Sequence, residues 1–142
     1  MICKILMNLF KKNSHSKPTV NGKKTNIELG KYGEKLAVNY LKKMHYKILT
    51  TNFKSKNGEI DIIAKDGEFI VFIEVKYRSS KLYGMPSEAV EKHKQQKIKM
   101  VAMKYLAGHP LESDFIRFDV VQIVGDEIEL IKSYNIKNIL HH

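Results

Sequence analysis

A single cysteine, Cys3, stands among the 142 residues. That excludes an internal disulfide, leaves no cysteine cluster for a structural zinc, and makes a reducing, cytoplasmic setting the expected one. Long apolar runs are missing too. Residues 1–10 (MICKILMNLF) are too short to span a bilayer and lack a small-residue cleavage site, so neither a stable membrane insertion nor a secretory leader is expected. There is no internal repeat, P-loop, GxGxxG, Ser/His/Asp arrangement or zinc-ligand spacing, so motif support for nucleotide binding, serine hydrolysis and zinc chemistry is lacking. Acidic residues are absent from residues 1–26, which carry six lysines and account for +6 of the +10 net charge. The other 19 basic residues face 15 acidic ones, so the rest of the chain is only mildly basic, a weak pointer to a polyanionic partner.

What is present is concentrated in residues 58–78, GEIDIIAKDGEFIVFIEVKYR. Two runs rich in β-branched and aromatic residues flank Asp66-Gly67, a strong hairpin signal. With Asp66 and Gly67 as the two loop residues, Lys65 faces Glu68, Asp61 faces Phe72 and Glu59 faces Glu74. Period-two alternation then puts Asp61, Phe72, Glu74 and Lys76 on one face, with Asp61 and Glu74 as diagonal neighbours roughly 7–8 Å apart. Two carboxylates at such a separation can share a divalent cation, and the lysine two residues on supplies a further positive charge. Metal-dependent phosphodiester hydrolysis asks for this set: acids for Mg²⁺ or Mn²⁺, an ammonium to orient water and offset phosphate charge. A solvated charged hairpin face is the plainer alternative, but residues 69–75 are apolar on both faces, as in a central strand.

Around this hairpin the chain divides into a basic, linker-like extension (1–26) and one α/β domain (27–142). Residues 27–44 carry an apolar stripe at helical spacing, with Glu34 at its border. Glu34 is either a solvated partner of Lys31 or Lys35 or a third carboxylate handed to the hairpin site. Residues 46–53 read as the first strand, followed by a basic loop with Lys54 and Lys56. Glu59 either assists the metal or lies in a frayed strand entrance. Arg78 and Lys81 fall in the next loop, where they are phosphate contacts or ordinary solvated residues. A second helix opens at Pro86-Ser87 and stops at Gly108; Lys94 lies within its apolar face, either snorkelling outward or aimed at an anion. Residues 114–124 and 127–136 form a second hairpin about Gly125-Asp126, with Arg117 and Asp119 on one face as an internal ion pair.

The order helix, three strands, helix, two strands, with GEID at 58–61 and EVK at 74–76, resembles the PD-(D/E)XK nuclease superfamily. More closely, GKYGEKLAVNYL (30–41), the hairpin, EAVEKHK (88–94) and RFDVV (117–121) resemble the bacterial YraN family, regarded as relatives of archaeal Holliday-junction resolvases. The resemblance covers about residues 27–124. It implies a restriction-endonuclease-like fold, with a central mixed five-stranded sheet flanked by helices. It also implies metal ligation by Asp61 and Glu74, joined by Glu34, a catalytic Lys76, and Mg²⁺ or Mn²⁺ as cofactor. The substrate it implies is DNA, including branched or junction DNA; Lys94 matches a basic residue of the family's second helix, and together with Lys54, Lys56, Arg78 and Lys81 of the basic loops it is expected on the phosphates. A non-catalytic nucleic-acid-binding module with a retained nuclease fold is the alternative, and a homodimer is the assembly considered. The proline often found before the first acid is replaced here by Ile60.

Overall fold

The computed structural model describes residues 26–78, 92–109 and 115–132. Helix α1 (Asn26–Lys43) precedes β1 (Lys47–Ser55), β2 (Gly58–Asp66) and β3 (Phe69–Arg78); helix α2 (Lys92–Gly108) then leads to β4 (Phe115–Val124) and β5 (Glu127–Lys132). The strands form one sheet in the order β1-β2-β3-β4-β5. Among the described strands only β3 and β4 pair in parallel, and α2 lies in the crossover between them, so the sheet is mixed and the class is α/β, consistent with a restriction-endonuclease-like arrangement. Most of the expected N-terminal extension, the expected start of the second helix and Lys81 fall outside the described residues. No described helix is long and apolar enough to cross a membrane.

Period-two alternation sorts the core into two layers. Ile62, Ala64, Val71 and Ile73 pack with Ala37 and Leu41 of α1, whereas Ile63, Ile70 and Phe72 pack with Val101, Ala102 and Tyr105 of α2. The two helices therefore cover opposite faces, and β3 is buried on both, as its continuous apolar run requires. On the α2 side Phe72 stacks on Phe118 at 5.3 Å between centroids and meets Tyr105 edge-on at 6.0 Å. The stripe of α1 buries Gly33, Ala37 and Leu41. Gly33 lies so close to β3 that a Cβ there would sit 2.7 Å from Tyr77 Cβ. The helix ends in a Schellman motif: His45 takes φ 66°, its N–H donates to Lys42 O at 3.0 Å, and Tyr46 N–H donates to Leu41 O at 2.9 Å. This drops Tyr46 into the core at the entrance to β1.

The hairpin register differs from the expected one by two residues. Asp66 pairs with Phe69, Lys65 with Ile70 and Ile63 with Phe72, leaving Gly67 and Glu68 as the loop. Gly67 has φ 58° and occupies the first loop position, the pattern of a type II′ turn. The reason lies 51 residues away: Arg117 Nη2 donates to Asp66 Oδ2 at 2.7 Å, which keeps Asp66 in the ladder. The same guanidinium forks onto Asp119 at 2.9–3.1 Å and donates to the Tyr46 hydroxyl at 2.8 Å. The expected Arg117–Asp119 ion pair thus forms, as part of a wider network.

Candidate active site

Extending the observed register by one step brings Asp61 level with Glu74, where a diagonal relation was expected. The β2–β3 ladder, however, stops at Ile62 and Ile73. β2 continues alongside β1 to Gly58, and β3 continues alongside β4 to Arg78, so the middle of the sheet splits below Ile62. Asp61 sits at the fork. Its Oδ2 accepts a hydrogen bond from Val75 N–H at 2.7 Å, standing in for the backbone partner that β2 no longer offers.

Face alternation also breaks at this level. Ile62 belongs to the α1-side core, yet Ile60, two residues away, packs on the α2 side with Phe53, its partner on β1. On β1 the matching break is Asn52, whose φ of 53° is left-handed. Both strands exchange faces at neighbouring residues, and the Asn52 and Asp61 side chains are released from ordinary alternation there.

The split opens into a cleft of about 810 Å³ bordered by Glu34, Asp61, Glu74, Lys76 and Arg78 together with the first turns of α1. Consecutive residues from Glu74 to Arg78 all border it, so it follows the edge of β3 that β2 has left, where a cavity confined to one face would meet alternate residues. The expected meeting of Asp61, Glu74 and Lys76 thus occurs along this edge, while Phe72, expected beside them, packs under α2. Lys76 Nζ contacts Glu74 Oε1 at 2.7 Å, with 34% and 18% of the two side chains exposed. Glu34 reaches the cleft from α1; Asn52 Nδ2 donates to its Oε2 at 3.0 Å, in place of the pairing with Lys31 or Lys35 considered above. Gly33 against Tyr77 sets how low the helix rides, and so how near Glu34 comes.

Electrostatics mark Asp61. Burial pushes its carboxyl up to about 6; the Val75 N–H pulls the other way, and the negative charges of Glu34, Glu74 and Glu59 add to the rise. Glu59 is itself paired with Lys54 at 3.3 Å across the last rungs of the β1–β2 ladder, beside the exposed turn, so it is no frayed end, and the first strand runs past the expected residue 53 to Ser55. Lys56 is exposed on the same turn. Lys81 and the side chain of Lys94 lie outside the described residues.

Among the described residues, no group of three or more His, Cys, Asp or Glu side chains converges on a ready-made metal cage. The donor set fits Mg²⁺ all the same, since that ion is held by one or two carboxylates plus waters and substrate phosphates. A cation beside Asp61 would also offset the burial and the neighbouring negative charge that together raise its proton affinity.

A family model, Uncharacterised protein family UPF0102, matches residues 33–123. The chain belongs to the UPF0102 family. A UPF0102 protein of Thermodesulfovibrio yellowstonii is 52% identical over 108 residues, 75% of this chain and 95% of that one. A UPF0102 protein of Clostridium botulinum is 46% identical over 113 residues, 79% of this chain and 90% of its own length. One of Geotalea daltonii is 45% identical over 116 residues, 78% and 91% of the two chains. The YraN likeness read from the four sequence blocks falls within UPF0102. The matched span begins at Gly33 and encloses every cleft residue with a role proposed below.

Asn52 was not read from sequence. Its signal was available: asparagine is depleted in strands and, among non-glycine residues, tolerant of left-handed φ, yet it stands inside a β-rich run, TTNF.

Proposed function

We propose that this UPF0102 protein is a metal-dependent endonuclease of the PD-(D/E)XK kind, hydrolysing phosphodiester bonds of DNA, branched DNA included. The observation that carries this reading is the sheet split, where Asp61 with its raised proton affinity shares a cleft with Glu74, Lys76 and Glu34. Asp61 and Glu74, with Glu34 across the cleft, would hold Mg²⁺ or Mn²⁺. Bound there, the ion would supply Lewis acidity and lower the pKa of an attacking water.

The chain's own groups do the rest. Asp61 must be ionised to hold a cation, so cation binding strengthens as pH rises through about 6. Its bond from Val75 N–H locks the carboxylate's direction, so little reorientation is needed when substrate arrives. Lys76 exchanges Glu74 for the scissile phosphate or the water, offsetting charge as the transition state forms. Arg78, further along the same cleft, meets a neighbouring phosphate, and Lys54 and Lys56 extend a positive surface along the β1–β2 turn. The test is cleavage of duplex, branched and single-stranded DNA with Mg²⁺ or Mn²⁺ by wild type, Asp61→Ala and Lys76→Ala. Equal cleavage by all three would defeat the reading.

One observation favours a second reading, a nucleic-acid-binding module without catalysis: Lys76 is engaged with Glu74 at 2.7 Å. Calorimetric titration with Mn²⁺ separates the two, because a binding module has no use for the ion.

A further inference from the structure

The structure assigns Asn52 as the positioning residue for Glu34, a role that two independent requirements place on one side chain. The backbone comes first. At φ 53° residue 52 occupies the left-handed region, which costs little for glycine, asparagine and aspartate and resists most other residues. This turn of the chain lets β1 carry Phe53 to the α2-side core while the side chain of residue 52 reaches Glu34 on α1.

The second requirement is chemical. Glu34 Oε2 accepts from Asn52 Nδ2 at 3.0 Å, so residue 52 must donate. Glycine satisfies the backbone and has no donor. Aspartate satisfies the backbone and, when ionised, sets a second negative charge against the first. Glutamine and lysine donate but resist the conformation. Of glycine, asparagine and aspartate, asparagine alone answers both needs; histidine takes the same conformation at His45, but carries a ring in place of the short amide. The surroundings also disfavour a further anion at residue 52, since Asp61 and Glu74 already place negative charge near Glu34. Asn52 can hold the Glu34 carboxylate beside them without bringing a cation that would compete with a metal.

Glu34 hangs from a helix packed through Gly33 on Tyr77, whereas Asp61 belongs to the sheet. The Asn52 amide bridges helix and sheet at the cleft. Its consequence for a metal rests on the nuclease reading given above; the positioning contact itself does not.

Two measurements on the full chain test the assignment. Mn²⁺ affinity is measured by calorimetry at pH 8 for wild type, Asn52→Gly, Glu34→Ala and the double variant. The expected result is at least a fivefold loss for Asn52→Gly alone and no further loss when it is added to Glu34→Ala. Independent, additive losses would overturn the assignment. The side-chain amide resonances of Asn52 are followed in ¹⁵N-labelled protein, and Glu34→Ala is expected to shift both protons, while unchanged resonances would overturn it. Should wild type bind no Mn²⁺ at millimolar concentration, the nuclease reading falls and the amide resonances alone decide: shifted ones sustain Asn52 as the positioner of Glu34, unshifted ones refute it.

Discussion

Strand β2 carries two aspartates treated in opposite ways, Asp66 at its hairpin end and Asp61 where the sheet splits. At the hairpin end, Asp66 and the fully buried Asp119 side chain share the Arg117 guanidinium, with Lys132 Nζ 3.1 Å from Asp66 and the Tyr46 hydroxyl closing the network. Burial there would raise Asp66, but hydrogen bonds from Arg117 and Lys132 outweigh it and hold its carboxyl below the usual value. Burial lowers the hold of Arg117 on its proton, yet the bonds to Asp119 and Asp66 more than restore it. At the split, burial and three neighbouring acids leave Asp61 raised to about 6. One cluster is electrostatically complete and fastens β2, β4 and β5 together; the other is incomplete where the sheet parts. Proteins tolerate the second kind mainly where a ligand completes it.

Breaking the complete cluster should have the largest effect on stability. Arg117→Met leaves the Asp119 carboxylate without its guanidinium in a site where the side chain is 0% exposed, and about 3–5 kcal/mol of unfolding free energy should be lost, read by urea denaturation. Arg117→Met/Asp119→Leu should lose less than the single change, because no buried charge is then orphaned. If the single variant is as stable as wild type, the network is ornamental and the contrast fails. The incomplete cluster should answer in activity instead. Lys76→Ala is expected to slow DNA cleavage about 100- to 1000-fold. Its unfolding free energy should change by about 1 kcal/mol at most, since the pair it leaves is partly exposed.

Between these extremes lies Gly33, which touches both fold and cleft. A methyl at residue 33 meets Tyr77 Cβ at 2.7 Å, so Gly33→Ala must lift α1 or displace β3, at about 1–3 kcal/mol. Because Glu34 moves with the helix, Mn²⁺ affinity should fall as well. Gly30→Ala, where an added Cβ meets nothing within 4 Å, is the control that should leave stability unchanged or slightly higher. Equal melting temperatures for both variants would show that the helix does not ride on Tyr77.

The uneven legibility of the two clusters has a physical source. Helical stripes, the apolar β3 and the hairpins depend on local periodicity, so α1, the five strands and the covering of both sheet faces could be read directly from residue order. Asp61, Glu74 and Lys76 meet in spite of the register error, because they gather along the edge of β3 that β2 leaves and not on the single face that alternation predicts. The error came from Asp66-Gly67, a dipeptide that can supply both loop residues or only the glycine. Arg117, 51 residues downstream, makes the choice. The split below Ile62 and the face exchange at Asn52 and Asp61 have no periodic signature, since they arise where β2 follows β1 and β3 follows β4.

The smallest expected effect is also the sharpest form of the comparison, because the two aspartates should give pH dependences of opposite sign. Asp66 is lowered in the folded state, so its contribution is fully present above its unfolded value of 3.8 and is lost as pH falls below it. Asp61 is raised from 3.8 to about 6, so below 3.8 both states hold the proton and nothing is lost. Between those values the unfolded chain releases a proton that the folded chain retains, and stability declines as pH rises, levelling off above about 6. The shift alone would correspond to about 3 kcal/mol; partial exposure of the side chain reduces the expected value to about 1–2 kcal/mol. Asp61→Asn removes the charge and keeps an oxygen for Val75 N–H, so it should unfold at higher urea than wild type at pH 8 and at nearly the same urea at pH 4. Asp66→Asn should do the reverse, losing stability at pH 8 and little at pH 3. Parallel pH profiles for the two variants would mean that the carboxylates share one environment, and the cleft at the sheet split would lose its claim to be poised for a cation.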